Sequence, residues 1–198
     1  MPDGLDVNAD LSNYVEAIVE DGYSWVGRYI RTYPLGWTEA MALKAVGLDV
    51  VSIWEQGKPV DMTYFGQFRG HYDAARAIQA SVTIGQPVGT PIYFAVDYDA
   101  AQADLFWIGT YFKAVQLIVK DAGYFAGVYG SGTVCQYLTS VGYISHTWLA
   151  ASKGWCGHDD WLTYADIVQG GQIAWYGMEV NTNTSKREYG GWQSDNLP

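Results

Sequence analysis

Short apolar runs alternate with helically spaced apolar residues from end to end of this chain, and no Pro/Gly/Ser-rich stretch interrupts them. Strands that are apolar on both faces need cover on both faces. Repeated strand–helix units supply it when the strands lie parallel and the helices pack over them, so the pattern points to βα units around a parallel sheet. The expected strands are 4–7, 25–30, 49–55, 91–99, 126–129, 147–151, 172–176 and 179–182, and the expected helices run over about 12–22, 38–47, 70–84, 102–122, 131–141 and 159–168. Glycines 22, 47, 85, 123 and 142 stand where helices stop, and Thr38 and Ser131 stand where they start. The helix at 102–122 is expected to bury Phe106, Ile108, Phe112, Val115 and Val119 on one broad face.

Eight strands and six helices predict an α/β fold, a (β/α) barrel of the TIM type spanning 1–198 as one domain. The chain's 198 residues fall short of the usual ~250, and no helix fits between the last two strands, so the barrel is expected to be compact and irregular at its closure. A doubly wound open sheet is the competing arrangement. No G-x-G-x-x-G follows the first strand, so a dinucleotide site is not indicated.

The chain carries 21 acidic against 11 basic residues, a formal charge of -10, with no Lys/Arg cluster. Nucleic acid is therefore not an expected partner, and nothing draws the chain from a distance to anionic membranes or wall polymers. The N-terminus lacks a positive region followed by an apolar run, and no stretch is long enough to span a bilayer, so a soluble chain is expected. Cys135 and Cys156 are too few for a disulfide framework or a cysteine zinc site and are expected as free buried thiols, a single bridge being the alternative. His71, His146 and His158 lack metal-ligand spacing, with His71 and His158 expected at helix starts. Clustered carboxylates also hold Mg2+ or Ca2+, but neither a metal nor any other cofactor is expected here. No P-loop or G-x-S-x-G is present.

The most informative segment is Pro91–Asp99, read as a buried strand ending in two carboxylates. Side chains alternate along a strand, so Asp97 and Asp99 are expected on one face, at the end where α/β folds place their chemistry. Asp6, Glu55 and Glu179 stand at other strand ends, and five carboxylates are expected to converge on one mouth. Such a group repels itself, which holds at least one member protonated near neutral pH, as a general acid requires. The competing role for these acids is capping a helix or binding a turn, and Glu55 is as well placed to face a helix or solvent. Further mouth candidates are Arg28, Tyr29, Tyr129, Trp148, Lys153, Gln172 and Trp175. For the aromatics the alternative is the core; for Arg28 it is an ion pair with one of the carboxylates. With 9 Trp and 16 Tyr, the chain has aromatic faces beyond the needs of a core, and these suit the C–H faces of sugars.

The segments Gly4-Leu-Asp-Val7, Ile92-Tyr-Phe-Ala-Val-Asp-Tyr-Asp99, Gly127-Val-Tyr-Gly130 and Trp175-Tyr176 ahead of Glu179-Val-Asn181 resemble, in order and spacing, the Rv2525c-like glycoside hydrolase-like domain, itself similar to the family 25 lysozymes. The resemblance implies a barrel that cleaves, or once cleaved, glycosidic bonds in peptidoglycan-like glycans. In those lysozymes an Asp at the first strand, an Asp-x-Glu pair at the fourth and an Asp near the last form the site. Asp6 and Asp97 match as they stand, Asp99 replaces the Glu general acid, and Glu179 replaces the last Asp. Asp is shorter than Glu by roughly 1.5 Å, and reach lost on that scale costs ~100-fold in rate. Either the backbone compensates, or Glu179 or Glu55 takes the acid role, or the site binds sugar without cutting it.

The resemblance thus implies a glycoside hydrolase-like domain with catalytic Asp97, Asp99, Asp6 and Glu179, and the residues that strand placement puts at the mouth, Glu55, Arg28, Tyr29, Tyr129, Trp148 and Trp175, are expected to contact the sugar. The alternative is a non-catalytic glycan-binding or structural barrel, partnered by other subunits of a phage particle or cell-envelope assembly. The route to the envelope is then non-Sec, or travel as part of such a particle.

Overall fold

The structure, a computed structural model, describes residues 1 and 3–193. Eight strands close a barrel in chain order: β1 (Gly4–Val7), β2 (Trp25–Tyr29), β3 (Asp49–Trp54), β4 (Pro91–Ala95), β5 (Phe125–Gly130), β6 (His146–Leu149), β7 (Ile167–Trp175) and β8 (Met178–Ser185). Neighbours from β1 to β7 pair parallel, and β8 closes the ring antiparallel to both β7 and β1. The helices are α1 (Val15–Glu20), α2 (Trp37–Ala45), α3 (Gln67–Thr83), α4 (Leu105–Asp121), α5 (Gly132–Ser140) and α6 (His158–Trp161). This is the expected TIM-type barrel, irregular at its closure. Tyr176 and Gly177, at φ 46° and 81°, form the tight turn that joins β7 to β8 without a helix.

Several boundaries differ from the sequence expectation, each for a local reason. The fourth strand ends at Ala95, not Asp99. Ile167 and Val168, expected in a helix, open β7 instead, where Ile167 pairs with Trp148; a short apolar run fits either element until its partner is known. Phe106 is 67% exposed because the buried stripe of α4 is Leu105, Ile108, Phe112, Val115 and Val119, one position out of phase with it. α2 starts at Trp37 behind Gly36, without a Thr38 cap, whereas Ser131 does accept from the Val134 N–H as expected. His71 lies inside α3, while His158 opens α6. Both cysteines are free thiols, Cys135 buried and Cys156 exposed.

Lateral pairing puts one alternate set of strand residues inside the barrel and the other under the helices. The inner set packs Trp25, Val51, Ile53, Tyr93, Trp148 and Ile167 into a buried cluster of its own. Glycines make room for these rings: a Cβ at Gly27 would lie 2.6 Å from the Trp148 ring and 2.9 Å from Asp6 Cβ. Gly27→Ala is therefore expected to destabilise the fold by about 1–3 kcal/mol, read as a lower urea midpoint; an unchanged midpoint would mean that Trp148 yields freely.

Segment 186–193 covers the N-terminal end of the barrel. Tyr189 stacks near Trp25 with centroids 5.2 Å apart, its carbonyl accepts from the Tyr93 hydroxyl at 2.9 Å, and its own hydroxyl donates to Asp49 at 3.1 Å. The C-terminal end, where the βα loops emerge, holds the cavity described next.

Candidate functional site

Every strand or its immediate extension contributes to one cavity of about 270 Å³: Asp6 from β1, Tyr29 from β2, Ile53 and Glu55 from β3, Ala95 and Asp97 from β4, Tyr129 from β5, Trp148 from β6, Gln169 from β7 and Asn181 from β8. These belong to the inner set. No Lys or Arg lines the cavity. Two larger grooves, of about 380 and about 440 Å³, lie outside the barrel mouth and bring no such acids together.

Asp6 is the fixed point. Its carboxylate accepts from Gln169 Nε2 at 2.9 Å, Asn181 Nδ2 at 3.0 Å and Asn183 Nδ2 at 2.8 Å. Gln169 is itself oriented, because its Oε1 accepts from the Tyr129 hydroxyl at 2.9 Å, and Asn183 Oδ1 accepts from the Trp148 indole at 2.9 Å. Tyr129, Gln169, Asp6, Asn183 and Trp148 thus form one continuous chain of donors and acceptors. Burial pushes the Asp6 carboxyl above its ordinary range despite the opposing pull of the amide donors.

Glu55 and Asp97 are set differently. Among the described residues, neither carboxylate has a hydrogen-bonding partner, so both are left facing the cavity. Burial, then the charge of Asp97, pushes Glu55 up to about 7, and burial raises Asp97 as well. Tyr29 and Tyr129 are pushed far up, first by burial and then by the surrounding carboxylates, and stay neutral phenols. The site therefore holds an acid that keeps its proton up to about 7 beside a second, also upward-shifted carboxyl, between two phenols and an indole. An acid that holds its proton that high is placed to donate it near neutrality.

Six of the ten expected residues meet here: Asp6, Tyr29, Glu55, Asp97, Tyr129 and Trp148. The other four do not line the cavity. Asp99 is exposed and accepts from the Cys156 N–H at 2.7 Å and Sγ at 3.7 Å, because the strand has ended and its alternation no longer applies. Glu179 is exposed on the β7–β8 hairpin, where Gln172 donates to it at 3.4 Å. Trp175, at the hairpin end, donates from its indole to Asp21 at 2.7 Å and packs against Tyr14 and Tyr176. Arg28 points the opposite way from Tyr29 and forms a buried pair with Glu39 of α2 at 2.7 Å, a partner outside the expected carboxylates. Lys153 is exposed and Gln172 sits on the hairpin, both outside the cavity.

Sequence reasoning missed Gln169, Asn181 and Asn183 as site residues. The signal for the asparagines was the alternation in Asn-Thr-Asn-Thr, 181–184, which places both on one face of a strand. Gln169 was hidden by the helix expected over 159–168. Among the described residues, no group of three or more His, Cys, Asp or Glu side chains is arranged to hold a metal ion, and no helix is long and apolar enough to cross a membrane.

A family model described as Rv2525c-like, glycoside hydrolase-like domain matches residues 16–190. Two proteins of Bacillus subtilis, YbfG and FadG, both described as uncharacterized, are each 30% identical, over 72% and 74% of this chain; the matches span only 22% and 27% of their own lengths. Among solved structures, the Tat-secreted protein Rv2525c of Mycobacterium tuberculosis, in complex with HEPES, superposes with a TM-score of 0.82 at 22% identity, covering 95% of this chain and 97% of that one. The modular autolysin LytC of Streptococcus pneumoniae, in complex with a synthetic peptidoglycan ligand, gives a TM-score of 0.58 at 13% identity over 91% of this chain and 46% of its own. At those identities the structures testify to a shared fold.

Proposed function

The chain belongs to the Rv2525c-like, glycoside hydrolase-like domain family, and on that premise we propose that its barrel mouth binds and cleaves a peptidoglycan-like glycan by carboxylate general acid catalysis. The observation that carries the reading is Glu55, a carboxyl held up to about 7 and facing a cavity shared with Asp97 and Asp6. In this mechanism Glu55, protonated, gives its proton to the glycosidic oxygen as the bond to the anomeric carbon breaks, and water then adds to that carbon, its proton passing to the Glu55 carboxylate and restoring the acid. Asp97, ionised, stabilises the positive charge that develops on the sugar ring or orients an N-acetyl group toward it. Asp6 stays fixed by its amide donors and holds Gln169, Asn181 and Asn183 in place around the cavity floor, while Tyr29, Tyr129 and Trp148 offer the ring its apolar walls. The acid role thus moves from the fourth strand to the third. The LytC structure, a related barrel with a peptidoglycan ligand, supports the choice of substrate class. The expected place of action is the cell envelope, reached by a non-Sec route or on a phage particle; the Tat-secreted Rv2525c, a barrel of the same fold, supports the first.

A specific observation favours a second reading. Asp99, in the position where the related lysozymes carry their acid, is turned onto the Cys156 loop, which suits a barrel that binds glycan without cutting it. Incubation of the folded protein with purified peptidoglycan separates the two. New reducing ends, released faster below neutral pH than above it, are expected. Binding without release would establish the non-catalytic barrel, and neither binding nor release would leave a structural one.

A further inference from the structure

The geometry points to Tyr33 as a second sugar platform, outside the cavity, which makes the ligand an oligosaccharide that leaves the pocket over the β2–α2 loop. This rests on the glycan reading of the mouth and says how the next sugar is held. The cavity, at about 270 Å³, falls below the ~300–1,000 Å³ of pockets that enclose a drug-sized ligand, so it suits one sugar ring and a longer glycan must continue across the rim.

The loop at 30–36 is tied to the cavity wall. The Leu35 N–H donates to the carbonyl of Tyr29 at 2.9 Å, Thr32 Oγ1 donates to the carbonyl of Glu55 at 3.5 Å, and Arg31 Nε donates to Gln56 Oε1 at 3.4 Å. Tyr29 and Glu55 both line the cavity, so Tyr33 sits on a loop anchored to two of its walls. Tyr33 itself combines two unfavourable features. Its φ is 43°, the left-handed region that favours glycine, and its side chain is 73% exposed. Among the described residues its ring has no aromatic partner and its hydroxyl has no hydrogen-bonding partner. What holds the backbone there is buried: Arg28, already paired with Glu39, also donates from Nη2 to the Tyr33 carbonyl at 3.4 Å. Tyr33 does not line the cavity, and its loop neighbours Ile30, Arg31, Pro34, Leu35 and Gly36 line the outer groove of about 440 Å³, so a glycan leaving the cavity over this loop meets an exposed ring on a strained backbone, which stacking on a second sugar's C–H face can use.

Calorimetric binding of N-acetylglucosamine and of its β-1,4-linked tetramer to the whole chain tests this. The wild type is expected to bind the tetramer more tightly than the monomer. Tyr33→Ala and Tyr33→Gly are each expected to weaken the tetramer about tenfold and leave the monomer unchanged, while Tyr33→Trp keeps the preference. Tyr33→Gly is further expected to melt at a higher temperature than Tyr33→Ala, since glycine takes a positive φ without a clash; the two variants thus separate the ring from the strain. Tetramer affinity unchanged in both variants, with the wild type still preferring the tetramer, would overturn this inference and leave the mouth reading standing. Equal losses for monomer and tetramer would also overturn it, by showing that Tyr33 acts through the cavity. A wild type that binds neither sugar would overturn the mouth reading and this inference together.

Discussion

Glu55→Gln is expected to lower release of reducing ends from peptidoglycan by about 10²–10⁴-fold while leaving glycan binding in place, because the amide keeps the shape of the carboxylic acid but has no proton to give. Asp99→Asn, in contrast, is expected to change release by no more than about twofold, since Asp99 lies on the surface away from the cavity. The reverse ranking would return the acid role to the fourth strand. Glu55 also has signatures independent of turnover. Its carboxyl is expected to titrate at about 7 by NMR, and Asp97→Asn is expected to lower that midpoint only in part, because burial is the larger cause and the Asp97 charge the smaller. Stability follows the same group. The folded form of Glu55 holds its proton to about 7 against an ordinary value of 4.5, so the stability that protonated Glu55 contributes is full below pH 4.5 and lost as the pH rises through 7. Glu55→Gln is expected to flatten that loss, giving a variant whose urea midpoint exceeds that of the wild type at alkaline pH and falls less steeply across the window.

The barrel was legible because its signals are local: apolar runs of strand length, helical spacing between them and glycine at the stops. Asp6, Tyr29, Glu55, Tyr129 and Trp148 followed from placing strand ends, which the parallel register then aligned at one mouth. Asp97 and Asp99 show where local reasoning stops. Nothing in the run from Ile92 to Asp99 marks its break after Ala95; what redirects the chain there includes the Asp97 N–H donating to the carbonyl of Pro59 at 2.9 Å, a contact between two loops far apart in sequence. Glu179 was misplaced by register. Asn181 is the residue opposite Asp6, so Glu179 lies beyond the end of β1, and the hairpin continues toward α1, where Trp175 meets Asp21. Arg28 was legible and is the instructive case: it adjoins Tyr29 in one strand, and a period of two cannot send both into the barrel.

The outward direction of Arg28 gives it a different weight in the fold, and Glu39→Ala is expected to destabilise the chain by about 3–5 kcal/mol, because it strands a guanidinium that is 1% exposed. Denaturant unfolding would read this directly. The pair also organises backbone at the mouth. Arg28 donates to the Val7 carbonyl at 2.9 Å and to that of Tyr33, while Glu39 Oε1 accepts from the Leu11 N–H at 3.0 Å as well as from Arg28. Replacing both charges with apolar residues of similar volume, as in Arg28→Met with Glu39→Leu, removes the stranded charge and often restores stability elsewhere. Here it is expected to restore only part, since the Leu11 N–H and the Val7 carbonyl would lose these side-chain partners, and unmade bonds at buried backbone groups carry their own cost of roughly 1–3 kcal/mol each. Full recovery in the double variant would show that the loops after β1 and β2 hold their shape without the pair. Partial recovery, with weaker binding of the glycan tetramer than of the monomer relative to wild type, would show that one buried ion pair sets both the stability of the barrel and the rim on which Tyr33 stands.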